Sequence, residues 1–295
     1  MQLTINSLSK TYANGVRALS DVSLTIPHGL FGLLGPNGAG KSSLMRTIAT
    51  LQEADSGSIF LDGLDVLRQK TELRQMLGYL PQEFGVYPKI TAERLLDHIA
   101  QLKGVGNPGE RKALVGYLLE SVNLAQDRKK HLGTFSGGMK QRFGIAQALI
   151  GNPKLLIVDE PTAGLDPAER NRFYNLLSQL GEQTIVLLST HIVEDVSTLC
   201  ANFAIISQGK VLYAGEPDKA VRQMEGTIFT KAISRQELPA YLDKMSVIST
   251  QLKSGRMHIR VRADQAPGDG FVSAAPNLED VYFSHIVNEN AMIAT

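Results

Sequence analysis

The sequence predicts an α/β fold with a mixed, largely parallel core sheet, an antiparallel β region ahead of it and a mostly helical stretch between its strands. Three observations carry that expectation. The stretch Gly35-Pro36-Asn37-Gly38-Ala39-Gly40-Lys41-Ser42-Ser43 fits the pattern G-x-x-x-x-G-K-[ST]. It lies between an apolar run, residues 29 to 34, and a segment with Leu44, Ile48 and Leu51 at helical spacing. The run Leu155-Leu156-Ile157-Val158 is continuously apolar, the mark of a central parallel strand covered on both faces.

In chain order, Leu3, Ile5 and Leu8 alternate with polar neighbours and predict a strand over residues 2 to 8. Residues 10 to 15 form a turn, and residues 18 to 26 alternate again up to Pro27. These two strands make the antiparallel region. The apolar run 29 to 34 is a buried strand leading into the glycine-rich loop, and the helix after it begins at that loop. Asp55 to Ser58 is a turn, Ile59 to Leu61 a short strand, and Gly78-Tyr79-Leu80 a strand stopped by Pro81. From Pro81 to about Ile150 the pattern turns helical. Thr91 caps a helix over 92 to 102, residues 110 to 119 form another, and the basic stretch 128 to 131 reads as a solvated loop. Phe135 to Met139 opens a helix with Phe143, Ala146 and Ile150 on its apolar face, ended by Gly151-Asn152-Pro153. Helices follow over 168 to 180 and 192 to 200, with a buried strand over 184 to 188 between them. Residues 203 to 206 and 210 to 213 form a hairpin around Gln208-Gly209. Beyond residue 222 the composition changes. Strands are expected at 227 to 233 and 256 to 261, a helix at 238 to 245 and a frayed end from 288.

Composition narrows the function classes. The chain of 295 residues carries 30 Lys plus Arg against 29 Asp plus Glu, a balance that argues against gripping nucleic acid by charge. Cys200 is the single cysteine, so no intrachain disulfide forms, which fits a reducing compartment. No basic-then-apolar leader is expected at the start. No apolar run approaches the roughly 20 residues that span a bilayer, so work at a membrane needs another chain to supply the span.

The chemistry sits at two places. In the glycine-rich loop the backbone curls so that successive N–H groups point at phosphate oxygens, at the positive end of a helix. Lys41 can reach β- and γ-phosphates, and the Ser42 hydroxyl can ligate Mg²⁺. At the end of the apolar strand, Asp159 suits a second magnesium anchor. Glu160, one residue on, can accept a proton from an attacking water.

Further motifs now complete an ordered set. The sequence resembles the ATP-binding cassette (ABC) ATPase subunits, whose fold is a P-loop NTPase with antiparallel β and helical subdomains. Gly35 to Ser42 resembles that family's first nucleotide motif and Leu155 to Asp159 its second. Phe135-Ser136-Gly137-Gly138-Met139 is similar to its Leu-Ser-Gly-Gly-Gln signature, with Met139 and Phe135 as departures that leave Ser136 and the glycine backbone in place. Gln82 matches the glutamine loop, Ala163-Gly164-Leu165-Asp166 the aspartate loop, and His191 the switch histidine. The resemblance covers residues 2 to 221, read as one cassette with a helical subdomain at about 82 to 150. Residues 222 to 295 form a small α+β C-terminal extension.

What the resemblance implies is specific. ATP and Mg²⁺ are the expected ligands. Tyr12 would stack on adenine. Gly35, Pro36, Asn37, Gly38, Ala39, Gly40, Lys41, Ser42 and Ser43 would surround the phosphates, and Ser42, Gln82 and Asp159 the metal. Glu160, His191 and Lys41 would be the catalytic groups. Ser136, Gly137 and Gly138, a second anion-binding helix start, would close over the ATP of a partner cassette with Asp166 at the seam. Two cassettes, as a homodimer or as a heterodimer with a related cassette, would thus hold two nucleotides head to tail. The segment with Phe84 and Tyr87 would dock a short helix of a separate membrane permease. Residues 276 to 283 resemble the tail of drug-resistance-type exporter ATPases. The chain would work at the cytoplasmic face of a membrane as an exporter ATPase. Cassettes acting on the ribosome or nucleic acid are the alternative, but they usually carry a second cassette or insertions that this sequence lacks. A phosphate-loop GTPase would show an Asn-Lys-x-Asp reader, and none is found.

Overall fold

The computed structural model describes residues 1–82, 85, 87–162 and 164–294. Phe84 and Ala163, named above, lie outside the described residues. The chain divides into two compact units, Met1–Val211 and Leu212–Thr295.

The first unit opens with strands β1 (Gln2–Thr11), β2 (Arg17–Pro27) and β3 (Gly29–Leu34) and helix α1 (Lys41–Ile48). Strands β4 (Ser56–Leu61) and β5 (Leu64–Asp65), helix α2 (Lys70–Gln75) and strand β6 (Leu77–Leu80) follow. Then come α3 (Ala92–Leu102), α4 (Pro108–Ser121) and α5 (Gly137–Ala148). The unit finishes with β7 (Leu155–Asp159), α6 (Pro167–Gly181), β8 (Ile185–Thr190), α7 (Val193–Leu199), β9 (Asn202–Ser207) and the start of β10 (Lys210–Gly215).

One sheet is antiparallel, in the order β2-β1-β4-β5. Leu3 faces Ile26 and Ile5 faces Leu24 across it. Leu8 is three residues from Ile5, so strict alternation would turn it outward. A register shift between them, with Ser7 at φ +45°, keeps Leu8 fully buried. The second sheet has the order β10-β9-β3-β8-β7-β6, and β9, β3, β8, β7 and β6 run parallel. Its central strands are buried residue after residue because helices cover both faces: α1 contacts β7, and α6 and α7 contact β3 and β8.

Parallel pairing sets what reaches the site. Leu34 lies beside Thr190, Asp159 beside Ser189, and Leu80 beside Val158. The C-terminal ends of β3, β8, β7 and β6 therefore share one edge. That edge is the crevice where open α/β sheets bind ligands.

Helix α1 is shorter than its apolar spacing predicts. Ala49 caps it and Thr50 turns to φ +59°, so Leu51 leaves the buried face and is 61% exposed. The helical segment matches its caps. Thr91 accepts from Arg94 N–H, and Asn107 accepts from the Gly109 and Glu110 N–H groups ahead of Pro108-led α4. Helix α3 packs on α4 and α5, and α5 packs on β6.

The second unit holds α8 (Pro217–Arg222), β11 (Ile228–Ile233), α9 (Leu238–Lys244), β12 (Val247–Lys253), β13 (Arg256–Arg262), β14 (Val272–Ser273) and α10 (Leu278–Ala294). Its sheet is antiparallel in the order β12-β13-β11-β14. Phe229, Ile233, Val247, Ile259 and Val261 form its core, with Leu238 and Tyr241 of α9 packed against them. Strand β12 escapes the sequence reading because Val247 and Ile248 are both buried, and a register shift there breaks the alternation. The frayed end expected from residue 288 is helical instead, as α10 runs to Ala294. Among the described residues no helix is long and apolar enough to cross a membrane.

Candidate functional site

The glycine-rich loop springs from β3 and closes on α1. Gly40 stands at φ +104° as the N-cap of α1, and a Cβ there would meet the Ala18 carbonyl at 2.5 Å, so a side chain would force the loop open. The turn at Gln208-Gly209 ties the loop down from outside: Gly209 N–H donates to the Ala39 carbonyl at 2.9 Å, and Ser20 N–H donates to the Gly209 carbonyl at 2.8 Å.

Lys41 begins α1 and is only 4% exposed. Its Nζ donates to the Gly35 carbonyl at 2.7 Å and the Pro36 carbonyl at 3.1 Å, inside the curl of the loop. It also lies 3.3 Å from Glu160 Oε1. Two further groups reach the same carboxylate. Gln82 Nε2, just past β6, donates to Glu160 Oε2 at 3.3 Å. His191 Nδ1, just past β8, is 3.3 Å from that oxygen. Groups from β3, β6, β7 and β8 thus converge on one 9%-exposed carboxylate at the sheet's C-terminal edge.

Glu160 is held unusually. Its backbone sits at φ +46°, rare for a residue with a Cβ. Its N–H donates to the Ser189 carbonyl at 3.2 Å and to Ser189 Oγ at 3.1 Å. The Ser189 hydroxyl in turn donates to Asp159 Oδ1 in a very short bond. One serine therefore ties the Asp159 carboxylate to the Glu160 backbone.

Lys41, Gln82 and Glu160 border a cleft of about 850 Å³ that is also lined by Tyr12 and Asn37 to Ser43, with Arg17 and Lys210 at its basic rim. That volume suits a nucleotide. The Tyr12 hydroxyl shares a 3.0 Å hydrogen bond with Ser43 Oγ and donates to Gln52 Oε1 at 3.0 Å, so its ring is fixed at the wall. The donor set also suits magnesium. Among the described residues no three His, Cys, Asp or Glu side chains converge as a cage. Buried Asp159 and the Ser42 hydroxyl offer hard oxygen ligands in the small number that magnesium takes when phosphates supply the rest.

Not every expected residue meets here. Ser136, Gly137, Gly138 and Asp166 do not line the cleft. Ser136 caps α5, its Oγ accepting from Met139 N–H at 3.2 Å, and Ser136 and Gly137 are exposed. Asp166 caps α6, accepting from Glu169 N–H at 2.8 Å, and is exposed too. Ser189, Gln52 and the rim cations Arg17 and Lys210 are site residues that sequence reasoning passed over. Ser189 alone carried a signal, a hydroxyl two residues before the histidine at a buried strand's end.

Residues 19–163 match the family described as ABC transporter. The ABC transporter ATP-binding protein NatA of Bacillus subtilis is 41% identical over 203 residues, 68% of this chain and 82% of that protein. The Nod factor export ATP-binding protein I of Rhizobium etli is 32% identical over 95% of this chain and 92% of its own length. Among solved structures, the dimeric, post-hydrolysis state of an ATP-binding cassette bound to ADP and Pi superposes with a TM-score of 0.67 at 25% identity, covering 72% of this chain and 98% of that one.

Proposed function

The chain belongs to the ABC transporter family, and on that premise we propose that it is the ATPase subunit of an exporter, gripping MgATP between two head-to-tail copies of the cassette. The observation that carries this reading is the convergence of Lys41, Gln82 and His191 on the Glu160 carboxylate beside the phosphate loop.

The residues divide the chemistry. Lys41, held on loop carbonyls, meets phosphate oxygens in place of the Glu160 carboxylate. The N–H groups from Gly38 to Ser43 and the start of α1 add a positive end for the same anion. Ser42 and Asp159 would hold Mg²⁺, with Gln82 nearby, and the ion would neutralise charge on the β- and γ-phosphates. Glu160, freed from Lys41, takes a proton from the water that attacks the γ-phosphorus, and the bond to the bridging oxygen breaks with its electron pair leaving on ADP. His191 steadies that water and the γ-phosphate. Tyr12 stacks on adenine at the cleft's wall. Ser136 and Gly137, exposed at the start of α5 with Gly138 buried behind them, and Asp166, exposed at the start of α6, serve the partner copy's nucleotide.

Coupling to transport needs a partner that spans the membrane. A second cleft, of about 780 Å³, opens between the end of α1, β6 and α3. Leu51 and Leu102 are 61% and 74% exposed on it, beside Ile99 and Tyr79. A groove of this kind, with apolar residues beside Arg74 and Lys103, suits a short amphipathic helix of a permease. With Tyr87, 66% exposed, it supports peripheral binding at the cytoplasmic face of a membrane.

The test is Glu160→Gln. ATP turnover falls by about three orders of magnitude, the scale of losing a positioned base, while ATP-driven pairing persists. Unchanged turnover would remove Glu160 from the mechanism and the reading with it.

A further inference from the structure

Asp195, in α7, is fully buried. Among the described residues no lysine, arginine or histidine forms an ion pair with it. Instead three hydroxyls donate to its carboxylate: Thr162 Oγ1 to Oδ2 at 2.7 Å, Thr190 Oγ1 to Oδ2 at 2.6 Å, and the Tyr174 hydroxyl to Oδ1 at 2.5 Å. A carboxylate taken out of water costs several kcal/mol unless its oxygens are satisfied, and short charge-assisted bonds offset that cost. Packing alone would be met more cheaply by an apolar side chain at this spot.

The three donors come from separate segments, and two of them border the catalytic groups. Thr162 follows Glu160 by two residues, and its carbonyl accepts from Leu165 N–H at 3.2 Å, which sets the turn that leads to Asp166. Thr190 ends β8 immediately before His191. Its Oγ1 also accepts from Ile192 N–H at 2.9 Å, so the histidine's backbone is tied on both sides through one hydroxyl. Tyr174 anchors the carboxylate to α6, and burial with the Asp195 bond holds its phenol far above the usual range, so it stays a proton donor.

We propose that Asp195 is a positioning residue for hydrolysis, fixing the strand ends that carry Glu160 and His191 in one geometry. It is fully buried and does not line the cleft. The inference rests on the proposed roles of Glu160 and His191. A misplacement of about 1 Å at a reacting group costs on the order of a hundredfold in rate, which sets the size of the effect.

Five variants of the full chain test it: Asp195→Asn, Thr190→Val, the two combined, Thr190→Ser and Glu160→Gln. Each is read for kcat, KM for MgATP and thermal midpoint. Thr190→Val keeps shape and removes the hydroxyl. It lowers kcat roughly ten- to a hundredfold and leaves KM within about twofold. Thr190→Ser restores kcat to within about threefold of the parent, a rescue that a role in packing alone would not produce, because serine loses the methyl and keeps the hydroxyl. Asp195→Asn lowers kcat in the same way, and the Asp195→Asn/Thr190→Val pair is no worse than the poorer single variant, because both act through one contact. If Asp195→Asn does not fold, the Thr190 pair decides alone. Folded Thr190→Val with kcat within about twofold of the parent overturns the inference, as does a loss confined to KM or a Thr190→Ser that fails to rescue. Should Glu160→Gln itself keep full turnover, the reading of the site fails instead, and the two failures are told apart.

Discussion

Lys41 shows how the site's charges are balanced at the level of single residues. Its ammonium is almost fully buried, which would be costly without partners, and it is satisfied by two loop carbonyls and the Glu160 carboxylate. A phosphate offers the same ammonium a stronger partner than a single carboxylate does. Lys41→Ala should therefore weaken ATP binding by at least about tenfold, the scale of one charge-assisted contact. Titration with a fluorescent ATP analogue reads it, and unaltered affinity would contradict the role. Lys41, Ser42, Asp159 and Glu160 were legible because their chemistry is written locally, in glycine spacing and in a carboxylate pair at the end of a buried run. Ser189, Gln52 and Asp195 were not. Each acts through partners between 5 and 40 positions away in sequence, and nothing local marks a serine, a glutamine or a helical aspartate as one of these anchors.

Elements were read well where periodicity runs unbroken and poorly where tertiary structure bends it. The central strands and the capped helices α3 and α5 follow directly from apolar runs and from Thr91 and Ser136. Leu51 fell outside because Thr50 breaks α1, and β12 was hidden by its register shift. The tail helix α10 depends on a contact no pattern reveals. Asn277 and Asp280 cap each other, Asn277 Oδ1 accepting from Asp280 N–H and Asp280 Oδ2 from Asn277 N–H, both at 2.9 Å. Asp280 then takes a bidentate pair from Arg260 of β13, each bond 2.6 Å, and both side chains are buried. Truncating one partner strands the other's charge. Arg260→Ala should destabilise the second unit by about 3–5 kcal/mol, whereas Arg260→Met with Asp280→Leu should be close to neutral. Denaturant unfolding of the two variants checks this, and equal losses in both would show that the pair is not what holds α10 to the sheet.

At the scale of the whole molecule the design is incomplete in one copy. A single chain brings the glycine-rich loop, Gln82 and Glu160 to one cleft, yet Ser136 and Gly137, at the start of α5, stand exposed away from that cleft. The ordered motifs made the residues of the cleft readable from sequence through resemblance, while the groove between the end of α1, β6 and α3 and the polar ties between strand ends needed coordinates. If each nucleotide is held by two copies, turnover must depend on their encounter. The most direct measurement is ATPase rate per molecule across a wide range of protein concentration, at saturating MgATP. The account predicts a rate that rises with concentration from near zero to a plateau, and that loses the plateau when Ser136 is replaced by a bulky, charged residue. A rate per molecule that stays constant down to the lowest concentration measured would contradict it.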